Sequence, residues 1–378
     1  MNIYSIIKEI EAYAPRSFQE KWDNSGLQIG LPDGQTECTG VLLCLDVSED
    51  IVDEAVRRGC NLVVSHHPLI FKGFKSLTGV TRQERAAIKA IRSGVAVYSA
   101  HTSLDSTRGG VSYAMASLLG AEVTGVIEPL EGRRSVLTVY CPREAASDVR
   151  LVLLDGGAGV PPCAENAADC ASARPVADEA SLVYADCESE KLPRQTAIDV
   201  LDLHHEALCC VSAEVPSASV QAMMAAVSDV PSAAGKVSFR VEEAPASDAI
   251  GLGVTAVFPD GGISASELVG RLRKVFAPGV IKASAAYDPE ARIRTIALCG
   301  GAGGEFISAV RACDAYVTGD VRYHDFFDAA ENHCVVFDIG HFESEACAKS
   351  IFYRLITKKI PNFAVYYSET ETNPVKYL

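Results

Sequence analysis

The chain has 378 residues, a formal net charge of −15 and 48% hydrophobic residues. This length allows roughly two or three domains, and the composition is typical of a soluble globular protein. The acidic balance disfavours a broad nucleic-acid surface, because phosphate binding needs concentrated Lys and Arg, although a local pocket could hold a small anionic substrate. No apolar run reaches about 18 residues and no signal-peptide pattern occurs, so we expect a cytoplasmic protein without a membrane span.

Thirteen cysteines are scattered through the chain, and none of them forms a C-x-x-C pair. The spacing of a zinc ribbon is therefore lacking. An odd number of cysteines in apolar runs is typical of reduced, buried thiols.

The first third of the chain predicts alternating helices and strands. Periodic isoleucines indicate a helix over residues 3–13, and the apolar run 41–45 predicts a strand. Ser48 opens a helix that continues to about Arg58, and a second buried strand ends at Val64. This β–α–β order is typical of a parallel sheet with both faces covered.

A helix over 81–93 and a strand over 95–100 continue the same pattern. Between the first helix and the first strand, residues 21–30 combine turn-forming residues with the only tryptophan, Trp22. We interpret this stretch as a structural elbow with Trp22 anchored in the core.

The middle of the chain has a different texture. Residues 160–195 are rich in Ala, Pro and acidic residues, which predicts long loops. The region opens with a strand over 135–141 and a helix after it, and the loops could contain one hairpin. Strands near 207–213 and 236–242, with a helix near 217–228 between them, complete an order that resembles β–α–β–β–α–β. This order predicts a ferredoxin-like module inserted at 134–249.

The last third predicts a helix over 264–275 and a strand over 295–299, which runs into glycines at 300–304 and then into a helix. Such a glycine turn can expose backbone N–H groups to a phosphate, but a tight turn explains it equally well. A later strand over 334–339 leads into a long final helix that begins near Gly340.

Two adjacent histidines, His66 and His67, follow the strand that ends at Val64, and Pro68 prevents its simple continuation. Ligands of open α/β sheets bind at this edge of the strands, and neutral imidazole is the commonest metal ligand. A buried, hydrogen-bonded histidine pair explains these two residues alone about equally well.

Side chains of ligand type stand at four strand ends in all: His66 with His67, His101 with Asp105, Asp320 with His324, and His341 with Glu345. His341 and Glu345 share one helix face at i, i+4 spacing, whereas we expect Glu343 to face solvent or to cap the helix. Nitrogen and carboxylate donors suit zinc, iron or manganese. The five strongest candidates exceed the three protein ligands of an open catalytic zinc, which favours two ions; they are His66, His67, Asp105, His341 and Glu345.

Six segments match one known family: WDNSGLQIG (22–30), SHHPLIF (65–71), HTSLD (101–105), CGGAGG (299–304), TGDVRYHD (318–325) and GHFESE (340–345). Together they resemble the NIF-three-like proteins, which are known as GTP cyclohydrolase I type 2 homologues and as dinuclear-metal-centre hexameric proteins. The resemblance implies an α/β fold of two related lobes with mixed sheets, interrupted by a ferredoxin-like α+β insert. The core would comprise residues 1–133 and 250–378, and the insert residues 134–249.

The same resemblance implies site residues and an assembly. The implied ligands of two divalent metal ions are His66, His67, Asp105, His341 and Glu345. It places His101 and His324 beside them as proton-transfer or substrate groups, in a ring-shaped homohexamer. Ser103 stands where an asparagine is usual, which changes a hydrogen bond near the site but no metal ligand. Residues 227–235 lack the HPYEE-like string of longer relatives, so we expect no ligand from the insert.

We expect from these features a metal-dependent hydrolase that resembles GTP cyclohydrolase I type 2. An activated water would attack GTP or a related small nucleotide or phosphoester, and Lys72, Lys75 or the glycine run could hold phosphate. A non-enzymatic metal-binding chaperone or regulatory ring protein would need the same ligands. A scaffold with purely structural histidines is the third interpretation.

Overall fold

The structure, a computed structural model, describes residues 1–31, 36–130, 132, 134–155, 182–186, 208–243, 250–331 and 333–378. The chain divides into two compact units, the larger made of residues 1–129 and 248–378 and the smaller of residues 130–247. The predicted domain boundaries involve residues 133 and 249, which lie outside the described residues. Within the described ranges, no helix is long and apolar enough to cross a membrane.

The larger unit begins with these elements: α1 (Ile3–Tyr13), β1 (Gly26–Ile29), β2 (Val41–Cys44), α2 (Glu49–Arg57), β3 (Leu62–Ser65), α3 (Arg82–Ser93), β4 (Ala96–Ser99), α4 (Thr102–Asp105), α5 (Val111–Leu119) and β5 (Glu122–Pro129). The smaller unit contains β6 (Arg134–Pro142), α6 (Ala146–Asp155), β7 (Leu182–Asp186), β8 (Leu208–Pro216), α7 (Val220–Ser228) and β9 (Ser238–Glu243).

The larger unit resumes with these elements: β10 (Gly251–Val257), β11 (Ile263–Ser264), α8 (Ala265–Phe276), β12 (Lys282–Ala283), β13 (Arg292–Ile293), β14 (Thr295–Ala302), β15 (Ala315–Gly319), α9 (Asp325–Glu331), β16 (Val335–Asp338), α10 (His341–Glu345), α11 (Ala348–Lys359) and β17 (Val365–Tyr367).

Two mixed sheets form the larger unit. The first has the order β1-β4-β3-β2-β17, in which β17, β2, β3 and β4 run parallel and β1 is antiparallel. The second has the order β12-β16-β15-β14-β10-β5, in which β14, β15 and β16 are the parallel strands. A small antiparallel pair, β11 with β13, accompanies them. The predicted mixed α/β fold and its β–α–β units are confirmed.

Local sequence signals set the helix ends. The side chains of Ser48, Thr81 and Ser264 accept hydrogen bonds from backbone N–H groups three residues on, which caps α2, α3 and α8. Gly94 ends α3 in the left-handed conformation that glycine adopts without strain. These caps explain why the predicted helix 81–93 matches α3 so closely.

The first sheet is held by burial of its parallel strands. Every residue of β2, β3 and β4 is buried, and α2 and α3 cover one face with Ile51, Val52 and Ala90. Each fully buried aliphatic side chain stabilises the fold by roughly 1.5–3 kcal/mol. The described cysteines are free thiols, and most of them are buried in this manner.

The smaller unit is an antiparallel sheet of order β7-β8-β6-β9. Side chains of α6 and α7, such as Val149 and Val227, pack on Leu137, Val139 and Val211 of the sheet. Its identification as a ferredoxin-like module stays a prediction, because residues 156–181 and 187–207 lie outside the described residues.

Two helices differ from expectation. The glycines at 300–304 continue β14 and lead into a short 3-10 turn, Gly304–Phe306, instead of a helix. The predicted long final helix is divided into the short α10 and the longer α11, with Ala346 and Cys347 between them.

Candidate metal centre

The first sheet brings its candidate residues together by register. Ser65 of β3 is paired with Cys44 of β2 on one side and with Ser99 of β4 on the other, so the three strands end level. The Oγ atoms of Ser65 and Ser99 lie 2.7 Å apart across this end. The polar residues that follow the strands therefore lie at one edge: Asp46, His66, His67 and His101.

The second sheet also brings candidate residues together, in this case through a short helix that follows one of its strands. Thr318 at the end of β15 is paired with Asp338 at the end of β16. Asp320 then adopts φ +53°, a left-handed conformation that Asp tolerates better than most residues, and Gly340 adopts φ +93°. These turns bring Asp320 and the first residue of α10, His341, side by side, with Nδ1 of His341 2.8 Å from Oδ2 of Asp320.

Glu345 links the ligands of the two sheets. Its Oε2 lies 2.8 Å from Nε2 of His67 and 3.2 Å from Nε2 of His341, and its Oε1 lies 3.7 Å from Nε2 of His66. One donor atom from each of His66, His67 and Glu345 falls within 4.8 Å of the others, a spacing that could hold a metal ion. The i, i+4 pair on α10 thus converges as predicted.

Asp105 and His66 provide a direct test of whether a cation fits here. Nε2 of His66 lies 3.6 Å from Oδ1 of Asp105, which is too far for a hydrogen bond. Both atoms are buried, and neither has a hydrogen-bond partner among the described residues. Buried polar atoms without partners are rare, so this donor set fits a cation between them. The structure brings the five predicted ligands together, and their binding of metal stays a prediction.

Each of the three histidines turns Nε2 toward the centre because its Nδ1 is held from outside. Nδ1 of His66 lies 3.0 Å from the carbonyl of Ala100, and Nδ1 of His67 lies 3.1 Å from Oδ1 of Asp46. Asp320 holds His341 in the same way. Outer partners of this kind fix the tautomer and orientation of metal-binding histidines. Asp46 was visible in the sequence only as an acid at a strand end.

Burial and neighbouring charge act in opposite directions on this cluster. Burial lowers the pKa of His67, but the carboxylates of Asp46 and Glu345 raise it to about 10. Burial likewise lowers the pKa of His341, but Glu345 and Asp320 raise it to about 9. The pocket therefore stabilises positive charge strongly, as a cation site must.

His101 lies beside the cluster with its own carboxylate. Its ring centroid is 5.4 Å from that of His66 and 5.5 Å from that of His67. Its Nδ1 lies 2.8 Å from Oδ1 of Asp23, whose side chain is fully buried and also accepts hydrogen bonds from Thr102. Burial raises the pKa of Asp23, but these hydrogen bonds outweigh it and hold that pKa well below its ordinary value. Sequence reasoning missed Asp23.

Trp22 was wrongly predicted to be a core anchor. It is 57% exposed, and its indole packs against Phe71 and His101 at ring-centroid distances of 5.9 Å each. The adjacent Asp23 has the buried side chain instead, and its carboxylate accepts hydrogen bonds from His101 and Thr102. The 22–30 stretch thus borders the candidate site.

His324 is not brought to the cluster. It is exposed at the start of α9, and its ring packs against Tyr323 and Phe327. Among the described residues, the structure gives it no hydrogen bond or ring contact with the five predicted ligands. Asp320, four residues earlier, is the member of this strand end that reaches the site.

The glycine run makes room for α10. A Cβ at Gly301, which has φ +68°, would lie 2.2 Å from Oε1 of Glu345. The backbone N–H of Gly301 donates to Oγ of Ser344, and that of Gly303 donates to Oγ1 of Thr318. These two amides are occupied within the protein, which argues against phosphate binding by the glycine run.

Glu343 was wrongly expected to face solvent or to cap the helix. It is 8% exposed, and its Oε1 accepts a hydrogen bond from Nδ2 of Asn373 at 3.1 Å. The C-terminal segment therefore packs against α10 on the helix that carries His341 and Glu345.

The fold and the site define a mixed α/β protein with a candidate metal centre where two sheets meet. Residues 1–374 match the family Duf34/NIF3 (NGG1p interacting factor 3), and the chain belongs to this family.

Relatives of similar length carry one shared name. The chain is 26% identical over 396 residues to the GTP cyclohydrolase 1 type 2 homolog of Bacillus subtilis, covering 100% of this chain and 99% of that one. It is 29% identical over 354 residues to the homolog of the same name from Mycobacterium tuberculosis, covering 89% and 86%. The crystal structure of a Bacillus cereus protein related to NIF3 has the same fold, with a TM-score of 0.76, 23% identity and coverage of 100% and 99%.

Proposed function

We propose that this protein is a metal-dependent hydrolase whose centre holds two divalent ions, zinc, iron or manganese. The observation that carries the proposal is the convergence of three imidazole Nε2 atoms on the carboxylates of Asp105 and Glu345. The unpartnered buried atoms of His66 and Asp105 support it further.

Two ions suit this donor set better than one. Five ligands exceed what one open catalytic site uses. Glu345 directs one carboxylate oxygen toward His66 and the other toward His67 and His341, so the donors fall into two groups that share this residue. If two ions are bound, the negative charge of this shared carboxylate would offset the repulsion between them.

The bound ions would supply Lewis acidity and make water a competent nucleophile near neutral pH. His101 is the group we assign to proton transfer. Because Asp23 holds the Nδ1 proton of His101, Nε2 is the nitrogen that accepts a proton from the attacking water and later returns it to the leaving group.

For the substrate we propose GTP or a related small nucleotide or phosphoester. The relatives' shared name supports GTP as the substrate, and the reaction we propose is ring opening by hydrolysis at purine C8 with release of formate. The acidic chain, with its net charge of −15, favours a small molecule over nucleic acid as the partner.

The test combines elemental analysis with a GTP assay on metal-reconstituted protein, comparing wild type with Glu345→Ala. We expect bound metal and formate release in the wild type and the loss of both in the variant. Formate release that survives in Glu345→Ala would reject this centre as its source. Metal-loaded wild type that turns over neither GTP nor a panel of phosphodiesters would favour a metal-binding chaperone or regulatory protein.

We also propose that the protein assembles as a homohexameric ring, on the strength of its family membership. Light scattering on the eluting protein is expected to give six times the 40.2 kDa chain mass. A monomer at micromolar concentration would reject the assembly but leave the metal centre untouched.

A further inference from the structure

Two large aromatic side chains stand exposed beside the candidate metal centre. Trp22 is 57% exposed and Phe71 is 45% exposed, and their ring centroids lie 5.9 Å apart with the planes tilted by 50°. We call Trp22, Phe71 and His101 the aromatic ledge.

The loops that carry the ledge are tied to each other. Nδ2 of Asn24 donates to the carbonyl of Ile70 at 2.5 Å, and the N–H of Ile70 donates to Oε1 of Gln28 at 3.1 Å. These bonds cross-link the segment after Trp22 to the residue before Phe71. The two rings are therefore presented in a fixed arrangement, which lowers the entropic cost of binding a ligand.

The ledge is continuous with the candidate metal centre. The ring centroid of His101 lies 5.9 Å from that of Trp22 and 6.4 Å from that of Phe71. On its other side, the same ring is 5.4 Å from His66. A flat group resting on the ledge would thus lie next to the residue that we assign to proton transfer.

We propose that the aromatic ledge binds the planar heteroaromatic ring of the substrate by stacking. The inference rests on the proposed function, because it assigns a ring-binding subsite to the same centre. Stacking of a base on an aromatic side chain depends on its π-face and needs no charge. The ledge therefore recognises the base of a purine nucleoside, and phosphate groups alone do not bind there.

Trp22 provides the measurement, since it is the only tryptophan in the chain. Metal-free protein is titrated with GTP, guanosine and inorganic triphosphate while the indole fluorescence is followed. We expect saturable quenching by GTP and by guanosine and none by triphosphate. Phe71→Ala is expected to weaken guanosine binding about 10-fold, within the range for loss of one stacking contact.

Phe327→Ala is the matched control, because Phe327 is also 57% exposed but packs with Tyr323 and His324 on α9. It is expected to leave the titration unchanged. Equal weakening by both variants, or quenching by triphosphate alone, would overturn the proposal. Fluorescence that changes with protein concentration and not with guanosine would instead assign the ledge to contacts between copies of the chain.

Failure of the ledge and failure of the hydrolase remain separable. Saturable guanosine quenching without GTP turnover would retain the ledge and reject the hydrolase. Turnover with the same KM in wild type and Phe71→Ala would retain the hydrolase and reject the ledge.

Discussion

The two sheets of the larger unit supply ligands by different means. In the first sheet, His66 and His67 follow β3 directly, and their N–H groups donate to the carbonyls of Cys44 and Leu45 on the neighbouring strand segment. In the second sheet, the ligands sit on α10, which begins after Gly340 and contacts the glycines of β14. The first half of the centre is therefore fixed by sheet register, whereas the second half depends on close packing of a short helix.

The largest effect is expected from Glu345→Ala, because Glu345 lies close to histidines of both halves of the centre. The variant removes the oxygens near His66, His67 and His341 together. We expect metal affinity to fall by more than about 100-fold, beyond the usual effect of losing an outer partner. Elemental analysis and a chelator competition assay measure it.

Glu343→Gln is the control for that experiment. Glu343 lies on the same helix, but its hydrogen bond is to Asn373 and not to a ligand. Metal binding within a few-fold of the wild type is expected. Wild-type stoichiometry in Glu345→Ala would show that the two sheets bind metal without this link.

Gly301→Ala tests the packing of the second half. The new Cβ would lie 2.2 Å from Oε1 of Glu345, so the carboxylate must move. Gly94→Ala is the matched control, because Gly94 has nearly the same φ of +65° and nothing within 4 Å of its Cβ position. Gly94→Ala should lose about 1–2 kcal/mol of unfolding free energy through left-handed strain, and Gly301→Ala should lose at least as much because the carboxylate must also move.

Only Gly301→Ala should also bind metal more weakly, with an affinity lowered by about 10-fold or more, because its Glu345 ligand is displaced. Denaturant unfolding of the metal-free proteins and competition with a chelator separate the two effects. Equal metal affinity in both variants would mean that α10 adjusts without moving Glu345.

A smaller effect is expected from the outer carboxylates, and it should differ between the halves. Asp46→Asn and Asp320→Asn each weaken the hold on Nδ1 of one histidine, and such changes typically lower metal affinity roughly 10- to 100-fold. The side chain of Asp46 is 27% exposed and that of Asp320 is 60% exposed. Solvent replaces the exposed partner more easily, so Asp46→Asn should have the larger effect in calorimetric titration. A larger effect of Asp320→Asn would mean that His341, in the second half, depends more on its outer carboxylate than His67 does in the first.

Much of the centre could be predicted because parallel strands bring their carboxyl ends to one edge. That rule alone places His66 and His67 near His101, and helical spacing places His341 with Glu345. The rule does not predict which acidic side chains contact the Nδ1 atoms of these histidines. Asp23 escaped notice because its partners, His101 and Thr102, are nearly 80 residues away.

Trp22 and Glu343 were misjudged for a related reason. Residue type favours a buried tryptophan and an exposed glutamate. In the structure, the side chain buried beside His101 is that of Asp23 and not that of Trp22. Glu343 is buried where Asn373 donates to it. Neither contact is local in the sequence.

The smallest effect is expected from His324→Ala, which tests whether spacing alone assigns a residue to the site. His324 follows Asp320 at i, i+4, yet it is exposed and packs with Tyr323 and Phe327, while Asp320 reaches His341. Metal affinity should match the wild type, and kcat for GTP should fall far less than in His101→Ala, where proton transfer typically contributes about 100- to 10,000-fold. Because both variants remove one imidazole, steady-state kinetics at saturating metal compares them directly. A larger loss of kcat in His324→Ala would mean that α9 moves toward the centre when substrate binds, and it would transfer the proton-transfer role from the first sheet to the second.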